Sequence, residues 1–250
     1  MSSTTQQPLA ARDARASIFG RVLVGIDDTP ESLEAARQAA ALATGPVTLL
    51  SAYDLTETVV GAGMALAPPL HLDEEPIRDR AEAALEDAQK EIAPTEPSLT
   101  IAKGRPWEAL LDEIAAEHVS LVAVGSHDPG RAKGILMGST ATELIHKAPC
   151  SVLVARKPLK GQFPGLIVAG VDGSNEAAVA DAVAEALAER FDARVERHEN
   201  VPDPVNALVE AGMEADLLVL GSRGLKGIKA LGSVSERVSH RAACSVLVVR

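Results

Sequence analysis

Apolar and polar positions along the chain settle into two alternating rhythms. Short runs with strand character stand at Arg21 to Ile26, Val47 to Tyr53, Ser98 to Ala102, Leu121 to Val124 and Ser151 to Ala155. The first of these is apolar at almost every position, as a strand buried on both faces must be. Between the runs lie longer stretches with apolar residues at helical spacing: Pro30 to Ala43, Pro76 to Ile92, Pro106 to Ala116 and Ser139 to Lys147. Proline suits the first turn of a helix, where its missing N–H costs nothing. Thr56 to Glu74, with its glycines and a Pro-Pro pair, reads as a long loop. Strands alternating with helices predict an α/β fold with an open, doubly wound parallel sheet and helices on both faces.

The pattern then repeats. HKAPCSVLVAR, from His146, returns as HRAACSVLVVR, from His240, at an offset of 94. LVAVGS returns as LLVLGS at an offset of 96, and the Asp27 region returns at Asp172 at an offset of 145. The second copy is therefore 49 residues shorter between its aspartate and its glycine loop, and 2 shorter within the loop. It keeps a first strand, Leu166 to Val171, and a helix, Glu176 to Phe191. One strand, Ala193 to His198, follows where the first copy has two strands with a helix between them. The chain is expected to comprise a polar disordered tail (1–19), a complete domain (20–158), a linker around Leu159 to Gly165 and a shortened domain (165–250).

Composition narrows the function. Of 250 residues, 46% are hydrophobic but only 2% aromatic, so the core is aliphatic and base-stacking platforms are not expected. A net charge of −11 without a Lys/Arg block argues against nucleic acid as a partner. No apolar run reaches the length of a membrane span, and the first twenty residues lack the apolar stretch of a secretory signal. The expected setting is the cytoplasm. The two cysteines, Cys150 and Cys244, each precede an SVLV strand and read as small buried residues.

The candidate chemistry lies in GSHDPGRAKGILMGST, Gly125 to Thr140, between a strand and a helix. In an open parallel sheet, ligands bind beyond the carboxyl ends of the strands where strand order reverses. A helix N-terminus there offers unpaired N–H groups to phosphate. Ser139 and Thr140 add hydroxyls, and Asp27, at the end of the first strand, faces the same crevice as an acceptor for a ribose hydroxyl or a base amine. A tight turn with a capping serine is the competing reading. The loop is neither a Walker loop nor G-x-G-x-x-G, and no acid/base pair or nucleophile stands out.

VLVGIDDTPES, GSHDPGRAKGILMGST and APCSVLVAR together resemble the universal stress protein family. VDGSNEA, GSRGLKGIKALGSVSERV and ACSVLVVR in the second half resemble it equally. The resemblance implies a tandem protein whose halves form a pseudo-dimer, with Ser151–Ala155 pairing near Ser245–Val249. It also implies ATP, with magnesium where a divalent ion is needed. Carried over residue by residue, it places Gly25, Ile26, Asp27 and Ala52 near adenosine, Val124 and Gly125 at the strand end, and Gly138, Ser139 and Thr140 around the phosphates. Asp128 departs from the family pattern, standing where a second glycine belongs. A carboxylate there repels a triphosphate unless a cation bridges them. His127 and Arg131, within the loop, read either as solvated charges or as phosphate contacts.

The shortened copy keeps Asp172, Gly221, Gly224, Gly232 and Ser233 but lacks the strand and helix that would wall an adenine. It is expected not to bind nucleotide in the usual pose. The leading reading is a nucleotide-binding module in the first half, rather than an enzyme. Its occupancy would bias a conformation read by an unidentified protein partner, and a homodimer is compatible with it. A nucleotide-free interaction scaffold and a slow ATPase are the alternatives. His146 and His240, at helix ends, are expected to cap, and Trp107 to anchor packing.

Overall fold

A computed structural model describes residues 18–54, 73–126, 137–158, 163–222 and 234–250. The tail 1–17, most of the long loop, the linker core and the centres of both glycine loops lie outside the described residues, and with them His127, Asp128 and Arg131.

The first half runs β1 (Val22–Ile26), α1 (Pro30–Leu42), β2 (Val47–Tyr53), α2 (Glu75–Glu91), β3 (Ser98–Lys103), α3 (Pro106–Glu117), β4 (Leu121–Gly125), α4 (Ser139–Lys147) and β5 (Ser151–Ala155). The second half runs β6 (Leu166–Val171), α5 (Asn175–Phe191), β7 (Arg194–Glu199), α6 (Pro204–Ala211), β8 (Leu217–Gly221), α7 (Val234–Arg241) and β9 (Ser245–Val249). Among the described residues, the nine strands join one sheet in the order β3-β2-β1-β4-β5-β9-β8-β6-β7. Every pairing is parallel except β5 with β9, where Val152, Leu153 and Val154 face Val248, Leu247 and Val246. The two copies therefore meet about a local twofold, and each covers the edge that the other would expose.

One face of the sheet carries α1, α2 and α5 over a core that is continuous across the seam, from Phe19 and Val22 to Leu247 and Val249. The other face carries two separate cores, one under α3 and α4, the other under α6 and α7. Alanines make close helix–sheet approach possible: Ala35, Ala36 and Ala39 on α1 are fully buried. Phe19, expected in the tail, is instead 2% exposed, and its carbonyl accepts from the Thr44 N–H at 2.9 Å. An aromatic ring beside an aliphatic core gains more from burial than from solvation, so packing begins before the first strand. The linker reading is likewise trimmed at its end, where the Gly165 N–H is held by Asp216 Oδ2 at 2.9 Å.

Three arginines stitch the halves together, each binding carbonyls at the C-terminal end of a helix across the seam. Arg190 donates to the Leu42 and Ala43 carbonyls at the end of α1, at 2.8 and 2.9 Å. Arg156 is 5% exposed and donates to the Ser239 and Cys244 carbonyls at 2.5 and 3.1 Å. Arg250, its repeat partner, donates to the Ile145, Ala148 and Cys150 carbonyls, the latter two at 2.6 and 3.2 Å. Cations suit this end of a helix, where partial negative charge and unpaired carbonyls accumulate.

Both cysteines are buried as free thiols. Burial pushes the Cys150 thiol up to about 11 and that of Cys244 up to about 12. At neutral pH the folded chain is expected to leave a thiol-reactive dye unconsumed and to take up two equivalents once urea unfolds it. The same shifts make folding stability fall as pH rises above the ordinary thiol value of 9.0. There the unfolded chain releases protons that the folded chain retains. Rapid labelling of the folded protein would contradict this.

Candidate functional site

The crevice is built where β1 and β4 end side by side and their connections leave in opposite directions. Strand order reverses here, since β1 continues into α1 toward β2, whereas β4 leads on to β5. A cavity of about 420 Å³ opens at this point. Its floor is apolar: Leu50 and Ala52 from β2, Val124 from β4, and Pro106 and Leu110 from α3. Leu50, Val124 and Leu110 are all at least 96% buried. Gly25 keeps this floor low. A Cβ on it would lie 3.0 Å from Leu110 Cδ1 and 3.1 Å from Val124 Cγ1.

The rim is polar, and the sequence explains its geometry. Asp27 begins a D-x-T turn: its Oδ1 accepts from the Thr29 N–H at 3.0 Å and from the Thr29 hydroxyl. Thr29 in turn caps α1 by accepting from the Ser32 N–H at 3.3 Å. Ser32 closes the turn by donating to the Asp27 carbonyl at 2.8 Å. The carboxylate is thus held through one oxygen. Gly125 brings this turn against β4. A Cβ there would sit 2.6 Å from the Glu31 carbonyl carbon and 2.7 Å from its oxygen, so only glycine fits.

The opposite rim is the start of α4. Gly138 is its N-cap and makes no side-chain capping bond; Ser139 is exposed and Thr140 partly so. The first amides of a helix lack intrahelical partners, and here they border the cavity with both hydroxyls. Nine of the eleven residues singled out in the sequence line this one cavity: Gly25, Ile26, Asp27, Ala52, Val124, Gly125, Gly138, Ser139 and Thr140. His127 and Arg131 fall outside the described residues. Sequence reasoning missed Thr29 and Ser32, although the D-x-T turn recurs as D-x-S at Asp172, where Oδ1 accepts from the Ser174 N–H and hydroxyl at 3.1 and 2.6 Å. It also missed Leu50, Pro106, Leu110 and Ala141, whose part depends on which helix folds over which strand.

The corresponding place in the second half is constructed differently. Gly25 pairs with Leu50, but Gly170 pairs with His198. β7 is an edge strand of sequence RVERHE, with Arg197 tied to Asp181 and Glu185 of α5. Charged residues suit such an edge, but they give no apolar floor. Leu220 replaces Val124, and a Cβ on Gly170 would meet its Cδ2 at 2.8 Å. The glycine at the strand end is retained for packing: Gly221 lies against Glu176 as closely as Gly125 lies against Glu31.

Elsewhere the sequence candidates are absorbed into packing. Lys147 Nζ lies 3.8 Å from the centroid of the Trp107 ring, tying α4 to α3. His146 Nε2 lies 3.1 Å from Glu236 Oε1 across the seam, off the line of a hydrogen bond. Burial pulls His240 below the ordinary imidazole value despite nearby Glu236. Among the described residues no group of three or more His, Cys, Asp or Glu side chains is arranged to hold a metal. No helix among them is long and apolar enough to cross a membrane.

A polar-rimmed, apolar-floored crevice thus stands at the switch point of a parallel sheet, the place where α/β folds commonly take up ligands. The chain belongs to the universal stress protein family, whose model matches residues 19–156 and 193–250. It is 30% identical over 291 residues to a universal stress protein of Mycolicibacterium smegmatis, spanning 92% of this chain and 96% of that one. It is 28% identical over 289 residues to universal stress protein Rv2623 of Mycobacterium tuberculosis, with the same coverage. A universal stress protein structure from Archaeoglobus fulgidus superposes with a TM-score of 0.69 at 20% identity, covering 92% of this chain and 96% of that one. A solved universal stress protein in complex with cAMP matches 55% of this chain and 97% of its own at 22% identity and a TM-score of 0.38.

Proposed function

We propose that the first half binds one adenine nucleotide and that the second half serves as its docking and regulatory partner. The observation that carries this reading is the polarity of the cavity. One side is an aliphatic slot, floored by Leu50, Ala52, Val124 and Leu110, that suits a planar base. The other is an open helix start with two hydroxyls, which suits phosphate. The Asp27 carboxylate stands on the rim, held through Oδ1, and in this reading its second oxygen accepts from a ribose hydroxyl. The residues present fit ATP, and magnesium enters as the partner of the phosphates rather than as a resident of a protein cage. The half with Leu220 and the RVERHE edge does not hold a base in this pose. Binding, not turnover, is the activity proposed, in a cytoplasmic protein whose occupancy is sensed by another protein.

Titration calorimetry with ATP and magnesium tests it. Saturable heat is expected, and Ser139→Ala is expected to weaken binding about tenfold, the usual effect of losing one hydrogen bond to a charged group. No heat at high micromolar protein, with Ser139→Ala the same as wild type, would remove the proposal.

A further inference from the structure

Arg250 belongs to the second half, yet its guanidinium ends at a helix of the first. Nη1 donates to the Ala148 carbonyl at 2.6 Å, the Cys150 carbonyl at 3.2 Å and the Leu144 carbonyl at 3.5 Å. Nη2 donates to the Ile145 carbonyl. The backbone N–H donates to Ser151 Oγ at 3.2 Å, and Nε to Ser222 Oγ at 3.3 Å. One side chain thus gathers the last turn of α4 and the connection into β5.

The other end of α4 is the crevice rim. The helix has nine residues, so its ends stand only about 13 Å apart. Such a short helix is marginal on propensity alone and depends on what holds it. Its N-cap is Gly138, which has no side chain with which to cap the helix. Its C-terminal carbonyls, in contrast, meet a planar cation that supports the helix dipole pointing at the cavity.

We propose that Arg250 is a positioning residue for the ligand site of the opposite half, fixing the far end of the helix whose near end lines the crevice. The second half then contributes to binding without touching the ligand. Arg156, the twofold-related residue, is the control. It grips the end of α7 through the Ser239 and Cys244 carbonyls, and α7 does not line the cavity.

The test has two arms, on the full chain. The first needs no ligand: hydrogen exchange at the amides from Thr142 to Ala148. Arg250→Ala is expected to speed their exchange at least tenfold, Arg250→Lys to restore part of the protection, and Arg156→Lys to leave them unchanged. The second arm is ATP–magnesium titration, which rests on the nucleotide reading. There Arg250→Ala is expected to weaken affinity about tenfold, the scale of losing a favourable charge at a helix end, and Arg250→Lys to recover part of it. Unchanged exchange in folded Arg250→Ala overturns the proposal. So does wild-type affinity in that variant, or an equal loss of affinity in Arg156→Lys. Wild-type protein that binds no ATP, while Arg250→Ala still loosens α4, removes the nucleotide reading and leaves the positioning role standing.

Discussion

Replacing Gly125 with valine is expected to lower stability by about 3 kcal/mol and to abolish ligand binding. A Cβ at this position would lie 2.6 Å and 2.7 Å from backbone atoms of Glu31 and 2.8 Å from the Glu31 Cβ. Backbone cannot swing aside as a long side chain does, so α1 must move as a body, and overpacking of this kind costs ~1–3 kcal/mol or more. For a chain of this size, that corresponds to a fall in Tm of roughly 10 °C. The movement also carries away the Asp27–Thr29 turn. Gly221→Val supplies the comparison, because its Cβ would meet Glu176 backbone atoms at 2.6 Å. The two variants should unfold at similar urea concentrations, but only the first should lose nucleotide affinity when assayed folded. Equal loss from both would contradict the division of labour between the halves.

Arg156→Ala is expected to destabilise by about 3–4 kcal/mol with no direct effect on the crevice. The guanidinium is buried, and desolvation lowers its pKa to about 10. Its stabilisation comes from the Ser239 and Cys244 carbonyls, not from a carboxylate. Truncation leaves those carbonyls without their donors and opens a cavity. Each unsatisfied buried acceptor costs ~1–3 kcal/mol. Arg156→Lys should recover less than half, since an ammonium cannot fork between two acceptors. Urea denaturation measures the difference. A shift below about 1 kcal/mol would show that the seam is held by strand pairing and core burial alone.

Much of the fold was legible because its signals are local. The apolar runs marked strands, the alanine-rich periodic stretches marked helices, and the offsets of 94, 96 and 145 showed that the second copy had lost a segment between its aspartate and its loop. In the sheet, β7 occupies the place that β2 holds in the first half. Helix α6 was not foreseen. It has eight residues with two fully buried apolar side chains, Val205 and Leu208, too short a stretch for periodicity to declare itself. Its start was nonetheless written in Asp203-Pro204, an N-cap followed by proline.

The candidate site was legible where glycines, hydroxyls and a strand-end aspartate carried it, and not where tertiary packing did. Leu110 reaches the floor only because α3 folds back over β1 and β2. The arginine stitches were hidden for the same reason. Arg156 meets Ser239 across 83 residues of chain, and Arg250 meets Leu144 across 106. No local pattern encodes such contacts. A charged residue directly after a buried SVLV strand, repeated in both copies, was the available clue.

The central claim is an asymmetry: one crevice able to hold a base, and one whose floor has become a charged edge. Counting bound nucleotide per chain at saturation, by calorimetry or by equilibrium dialysis with labelled ATP, tests it most directly. The account predicts one per chain, abolished by changes at Gly125 and untouched by Asp172→Ala. Two per chain, or one that disappears with Asp172→Ala and survives Asp27→Ala, would contradict it.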